Sequence, residues 1–405
     1  MFYKLSLKVI IFGFIFTFFS SFGQSFFLGL FNSSIRNDLN ITHGQFGTIY
    51  ASATLLSSFI LIWIGKKIDD VNIFKFALFA ALLLSFSCFL FSEVSSIYFL
   101  FFGIFLMRLS GQGLMSHTAS TTISRYFTKS RGKALSTGWF GLSSAEFILP
   151  VFMVYLLTFI EWRNIWVYIS ILILIILPLA SYFLIKTLKM ESREISDQYN
   201  KLDLNLKNWS RNEVLKDYRF YIICLNMLAM PWIATGVFVY QSFILSSKGW
   251  GSFVIAQAFM VYSITSVITL FIAGFLIDKF TSRKLLIYMN LPLLASAFVL
   301  FYFKSPISAF IFLGLIGISN GLANVLGSST WAEIYGVKYI GSIKALTTAL
   351  MVLSTACGTA LYGILIDKGF TIENIAVISG TYIFFTAIML FLIRNNLNPI
   401  KKDIA

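Results

Sequence analysis

The chain has 405 residues, 58% of them hydrophobic and only 12% charged, with a formal net charge of +14. A soluble globular domain is about 25% charged, so this composition excludes one and indicates an integral membrane protein. The positive balance does not imply a nucleic-acid partner, because the basic residues sit in short loops at alternate ends of apolar runs.

The N-terminus, MFYKLSLKVIIFGFIFTF, imitates a signal peptide. Its apolar run continues through Leu30 without an A-x-A cleavage pattern, which predicts a retained first span. Apolar segments follow one another at about 9–31, 46–65, 73–91, 97–122, 134–160 and 165–185, then at 220–246, 253–277, 285–303, 307–332, 345–366 and 374–393. These are twelve spans, each long enough to cross about 30 Å of hydrocarbon as a helix. With both termini in the cytoplasm, 25 Lys and Arg lie on that side and 5 on the other, as the positive-inside rule requires. The abundance of Ile, Phe, Lys and Asn points to an AT-rich genome and hence to a bacterial inner membrane.

The stretch from Lys186 to Arg219 is the long polar segment, mixed in charge, and reads as a solvated linker. It divides the chain into an N-terminal six-helix bundle (1–185), a cytoplasmic linker (186–219), a C-terminal six-helix bundle (220–396) and a cytoplasmic tail (397–405). The halves repeat each other. Gly65 and Asp69 return as Gly274 and Asp278, and Tyr126, Lys129 and Gly132 return as Tyr335, Lys338 and Gly341, all 209 residues later. Lys133-Ala134-Leu135 then recurs as Lys344-Ala345-Leu346. A duplicated bundle explains these matches, so the expected fold is all-α, with twelve transmembrane helices in two pseudo-symmetric six-helix bundles.

Polarity sorts the spans. Spans 3, 6, 9 and 12 have uncharged interiors rich in Phe, Leu and Ile, as lipid-facing helices should. Spans 1, 4, 7 and 10 carry Gln24, Arg108, Gln112, Gln241, Asn320 and Asn324. Polar groups are costly in hydrocarbon unless they face protein or water, so these four helices are expected to line an interior cavity. Trp139, Trp232, Tyr240 and Tyr262, together with Tyr50, are candidates for its walls, although most aromatic rings in such a chain are packing or interface anchors. Gly138 and Gly141 let span 5 approach a neighbour closely. His117 reads more readily as a helix-packing histidine than as a proton relay.

Cys88, Cys224 and Cys357 all lie inside apolar runs and are odd in number, which argues against a disulfide framework or a zinc site. No GxxxxGK phosphate loop and no HExxH motif is present, and the two histidines are far apart. No enzyme, cofactor or metal site is expected.

GKKIDDVNIFK (65–75), AGFLIDKFTSRK (273–284) and RLSGQG (108–113) resemble, in that order, the loop 2–3, loop 8–9 and span-4 motifs of the major facilitator superfamily of secondary transporters, and EWRNIW (161–166) resembles its Trp-Arg turn after span 5. The first departs from the pattern at Asp70 and Val71. The resemblance implies alternating access around a midplane site, and it implies that Asp69 and Asp278 act as gating carboxylates that cap a neighbouring helix. RYFTKSRGKAL after span 4 and WAEIYGVKYIGSIKAL after span 10 resemble the oxalate–formate antiporter and monocarboxylate porter relatives. Spans 8 and 11 lack the mid-span basic residues with which that antiporter type holds a dianion. Pro150 lacks the glycine partner of the drug–proton antiporter signature.

Arg108 and Glu146 are the two charges deep in the membrane, each about a dozen residues into its run and roughly 15 Å from either surface. Arginine stays protonated when buried and must meet a partner or an anion. A carboxyl can take up a proton instead, since burial favours its neutral form and a nearby arginine opposes that. The expectation is that Arg108 orients a small carboxylate while Glu146 carries the coupled proton. The bland alternative, weighed equally, is a permanent Arg108–Glu146 salt bridge tying span 4 to span 5. The expected partners are therefore a small organic anion, protons and the lipid bilayer, with the chain a monomer. The alternatives are an exporter or exchanger of a neutral or amphipathic solute, and a non-transporting sensor. A sensor would need an output domain or a long tail, and only about a dozen residues follow span 12.

Overall fold

The computed structural model describes residues 2–127, 131–186, 207–336 and 339–399. Lys129, Lys338 and most of the expected linker and tail lie outside the described residues, as do the side chains of Asp69 and Asp278.

Among the described residues, eleven helices and one bent helix pair are long and apolar enough to cross a membrane, twelve spans in chain order with the pair counted as one. The first, α1, is broken into Leu7–Gly23 and Ser25–Leu39, bent by 43°. Then come α2 (His43–Lys66), α3 (Ile73–Ser92), α4 (Ile97–Tyr126), α5 (Lys133–Leu156), α6 (Trp162–Ile185), α7 (Tyr218–Val239), α8 (Ser252–Ile277), α9 (Ser282–Tyr302), α10 (Ile307–Tyr335), α11 (Ile343–Asp367) and α12 (Ile372–Leu392). Backbone polar groups have no water to bond in hydrocarbon, so apolar runs of this length close their hydrogen bonds internally as helices. Short polar side chains start several of them. Thr42 and Gln45 form a capping box at α2, Asn72 accepts from the Phe74 amide at α3, Ser96 from Phe99 at α4, and Thr371 from Asn374 at α12.

Two of these spans are interrupted. The break in α1 falls at Gln24, whose backbone is extended (φ −84°, ψ 153°). It occurs where Gly23 lies against the backbone of α4; a Cβ there would meet the Gln112 amide at 2.6 Å and Gly111 Cα at 2.9 Å. In the other half α7 kinks at Tyr240 (φ −104°, ψ 24°) and continues as the helix Gln241–Lys248. The corresponding spans of the two bundles are thus both interrupted. Within α4, residues Arg108–Met115 form a π-helical stretch, the wider winding that tends to mark functional sites.

The peripheral helices turn phenylalanine and leucine outward: Phe86 and Phe89 of α3, Leu179 and Phe183 of α6, Phe298 of α9, and Phe385 and Phe391 of α12 are each half exposed or nearly so or more. The described end of the linker is not simply solvated. The helix Arg211–Val214, boxed by Ser210 and Glu213, buries Val214, and the Trp209 amide donates to Tyr335 O at the end of α10. There Asp217 pairs with Arg219 at 2.8 Å and accepts from Tyr335.

The two bundles touch unevenly. Among the described residues, every hydrogen bond between them lies between Ser143–Ser263, midway along α5 and α8, and the face opposite the linker. Toward the linker face the same helices present bare surface. Phe59, Ile62 and Trp63 of α2 and Phe271 and Phe275 of α8 are all more than half exposed, and a Cβ added at Gly274 or Gly327 would meet nothing within 4 Å. Among the described residues the two bundles are thus hydrogen-bonded to each other at the far face and not at the linker face.

Candidate central transport site

The break in α1 creates the site. A continuous helix would bond the Gly23 carbonyl to the amide four residues on, but the extended Gln24 removes that partner. Arg108 takes its place, with Nη1 donating to Gly23 O at 3.1 Å. A cation at the C-terminal end of a helix is favoured by the helix dipole, and this one is only 3% exposed. The Tyr50 ring from α2 covers the guanidinium, its centroid 5.4 Å from Cζ. Yet Arg108 Nε and the Tyr50 hydroxyl are both buried without a hydrogen-bond partner. The guanidinium is neutralised by no carboxylate among the described residues.

Glu146 is held elsewhere. Thr17 of α1 donates to Gly138 O at 2.6 Å, and Gly13, Gly138 and Gly141 allow α1 and α5 to approach backbone to backbone, the close packing expected of the last two. Three residues before Glu146, and so on the same helical face, Ser143 O accepts from Ser263 of α8 at 2.7 Å. This sets Glu146, half-buried, at the junction of the two bundles, where Tyr262 lies within electrostatic reach of its carboxyl. It makes no hydrogen bond or ion pair among the described residues. The permanent Arg108–Glu146 clasp is therefore absent from this structure, because α1 packs on both helices and Arg108 bonds its backbone instead.

The remaining candidates divide. Gln24, Gln112 and Trp139 are partly exposed and Asn324 is exposed, with no side-chain hydrogen bond among the described residues, so their polar atoms are free to meet a solute or water. Asn320 donates to Ser266 Oγ at 2.9 Å. Trp232 and Tyr262 are buried among aromatic rings, Trp232 edge-on to Tyr362 and Tyr382, and Tyr262 edge-on to Phe238 and Phe259. Tyr240 and Gln241 do not line an open cavity here. Gln241 Nε2 donates to Phe26 O and Phe238 O, both at 2.9 Å, and the Tyr240 hydroxyl lies 2.8 Å from His43 O and 3.1 Å from Thr359 O. Both belong to the far-face closure because the kink of α7 lays them across α1 and α2.

Sequence reasoning missed Asn32, whose amide donates to Val239 O at 2.6 Å from the other bundle, and Asp367, whose carboxylate accepts from the His43 and Gly44 amides at 3.0 and 2.8 Å. An acidic residue ending one span and a Thr-led helix start in another were legible separately; their meeting was not. Near the linker face, the side chains of Asp69 and Asp278 lie outside the description, but the turns around them are held from the next even-numbered span. His117 Nε2 lies 3.0 Å from Gly65 O, in keeping with a packing histidine, and Arg125 donates to Ile68 O at 3.2 Å. Glu333 of α10 pairs with Arg283 at 3.1 Å and accepts from the amide and hydroxyl of Ser282. Among the described residues no cluster of His, Cys, Asp or Glu could hold a metal ion.

The family model described as Major Facilitator Superfamily matches residues 13–256, more than half of the chain. The chain belongs to the major facilitator superfamily. It is an integral, multi-pass membrane transporter and not an enzyme. Among solved structures, it is similar to a bacterial homolog of the human lysosomal transporter Spinster. In that protein's inward-facing, occupied conformation the TM-score is 0.71 at 15% identity, covering 98% of this chain and 97% of that one. In its inward-facing, unoccupied conformation the TM-score is 0.72 at 14% identity, covering 97% and 98%. The nucleoside transporter NupG matches with a TM-score of 0.70 at 15% identity, covering 96% and 98%. These identities establish the shared fold alone. No curated protein matches the chain.

Proposed function

We propose that this transporter takes up a small organic anion of the monocarboxylate type together with a proton, by alternating access, across a bacterial inner membrane. The observation that carries this reading is the unneutralised guanidinium of Arg108, buried at mid-depth with Nε lacking any acceptor. Burying a cation without a counter-charge is expensive, and a planar carboxylate supplies both the charge and the missing acceptors. Glu146, the other deep charge, has no cation to hold it ionised among the described residues, so it can take up and release a proton as its surroundings open and close. It carries the coupled proton at the junction of the bundles, where a rocking motion changes its access to water. Taking the linker face as cytoplasmic, by the positive-inside count, this structure is the inward-facing state. Gln24, Gln112 and Asn324 supply hydrogen bonds to the rest of the solute.

Purified protein in liposomes with an imposed pH gradient tests the reading. Uptake of a small monocarboxylate is expected, falling at least tenfold in Arg108→Gln, while Glu146→Gln loses the response to the pH gradient but retains exchange. If both variants keep full proton-driven uptake, the assignment is wrong.

A further inference from the structure

The far-face closure contains a charge that the central site does not use. Asp367, the last residue of α11, reaches across to the other bundle and accepts from the first two amides of α2, those of His43 and Gly44. These are donors that a helix leaves unpaired at its start, and a carboxylate there also meets the positive end of the helix dipole. The geometry is close: a Cβ added at Gly44 would stand 2.6 Å from Asp367 Oδ2. Around it the closure is completed by neutral bonds, from Tyr240 to His43 O, Gln241 to Phe26 O and Asn32 to Val239 O. Asp367 is thus the charged member among the described hydrogen bonds that join the two bundles. It is also exposed, and a cavity of about 520 Å³ lined by Thr42, Gln45, Thr48 and Lys368 lies beside it, so protons from the far side reach it freely.

We propose that Asp367 is a proton-operated latch: ionised, it holds the two bundles together at the far face, and a proton arriving from that side releases them. A carboxylate accepts from two amides with charge assistance, whereas the protonated acid keeps one weaker acceptor and loses its attraction for the helix end. The closed far face is therefore favoured while Asp367 is ionised and loses ground when it takes up a proton. In an uptake carrier, acid outside would open the side from which cargo enters. The charged and titratable groups that face Asp367 are Arg36 from α1, His43 from α2 and Tyr240 from α7, with Lys368 beside it in the chain. His43 Nδ1 is buried without a partner, its ring against Tyr240 and Phe243. The inference goes beyond the cargo and the central charges, because it requires only that the bundles rock.

The test is a distance measurement between spin labels at Asn37→Cys and Ser247→Cys, exposed positions on either side of the far face, with Cys357 replaced by serine. The far-open population is expected to rise as pH is lowered from 7 to 4. Asp367→Asn should raise the far-open to far-closed ratio roughly tenfold at pH 7 and leave it flat with pH. His43→Gln should keep the pH dependence, and Asp367→Glu should keep it in part. A flat response in the protein with Asp367 intact, which needs no further variant to fold, overturns the proposal. So does a pH dependence that survives Asp367→Asn or disappears with His43→Gln. Uptake in liposomes is not the readout, so failure of the monocarboxylate assignment leaves this result intact.

Discussion

The guanidinium of Arg108 and the carbonyl of Gly23 meet at 3.1 Å at the point where α1 gives up its helical hydrogen bonds. Three residues further on, Phe26 O accepts from Gln241 of the opposite bundle. The proposed anion site and the closure of the far face are therefore built on one short stretch of chain. A carboxylate drawing Arg108 away from Gly23 leaves that carbonyl without a partner, and the stretch must rearrange.

Gly23→Ala is the sharpest test of that arrangement. The added methyl meets the backbone of Met107, Gly111 and Gln112, which cannot move aside as a side-chain tip could. Overpacking of this kind costs about 1–3 kcal/mol. Thermal unfolding in detergent should show that loss, and uptake should fall with it. A variant as stable and active as the parent would mean that α1 and α4 do not approach here.

Thr17→Val removes the bond to Gly138 O while keeping the side chain's shape. Interhelical hydrogen bonds in membranes contribute about 0.6 kcal/mol on average and up to about 1.7. A loss in that range is expected in unfolding assays, with proton-driven uptake retained, since neither deep charge is touched.

Tyr240→Phe deletes the hydroxyl that joins α7 to His43 O and Thr359 O. A neutral hydrogen bond is worth about 0.5–1.5 kcal/mol, so the far-open to far-closed ratio should rise several-fold. Because this bond has no charge to lose, its contribution should not vary between pH 4 and 7. The same spin-label distances report both features.

The linker end offers a pH prediction outside the membrane. The Ser210 amide and hydroxyl and the Lys207 ammonium hold the Glu213 carboxyl well below the usual range, at about 2. A carboxyl depressed on folding stabilises above its ordinary range, and that contribution disappears as pH falls from about 4.5 toward 2. Trp209 fluorescence should report undocking of the helix Arg211–Val214 over this window, and Glu213→Gln should abolish the transition. An unchanged transition in that variant would mean that the Glu213 carboxylate does not hold this helix in place.

Twelve spans and an internal duplication could be read from the chain because hydrocarbon imposes their length, and because Gly65–Asp69 and Gly274–Asp278 fall in matching loops. Arg108 and Glu146 stood out for the same reason: charge at that depth is rare. Their partners could not be read. Arg108 bonds a backbone carbonyl, which every residue possesses and no sequence pattern marks, and that carbonyl has no partner in its own helix because the chain is extended at Gln24. Gln241 and Tyr240 were visible as polar groups in an apolar run, but the kink that carries them into the far-face closure depends on contacts with the other bundle. Asp367 looked like an ordinary span end, since its ligands are amides more than 300 residues away in the chain.

The single bond from Ser263 to Ser143 has a mechanical consequence. Ser263 is 11 residues from one end of the helix Ser252–Phe280 and 17 from the other, lever arms of about 17 and 26 Å. If the halves turn about this fulcrum, the linker-side ends swing about one and a half times as far as the far-side ends. The crevice on the far face would then stay narrower than the mouth on the linker face.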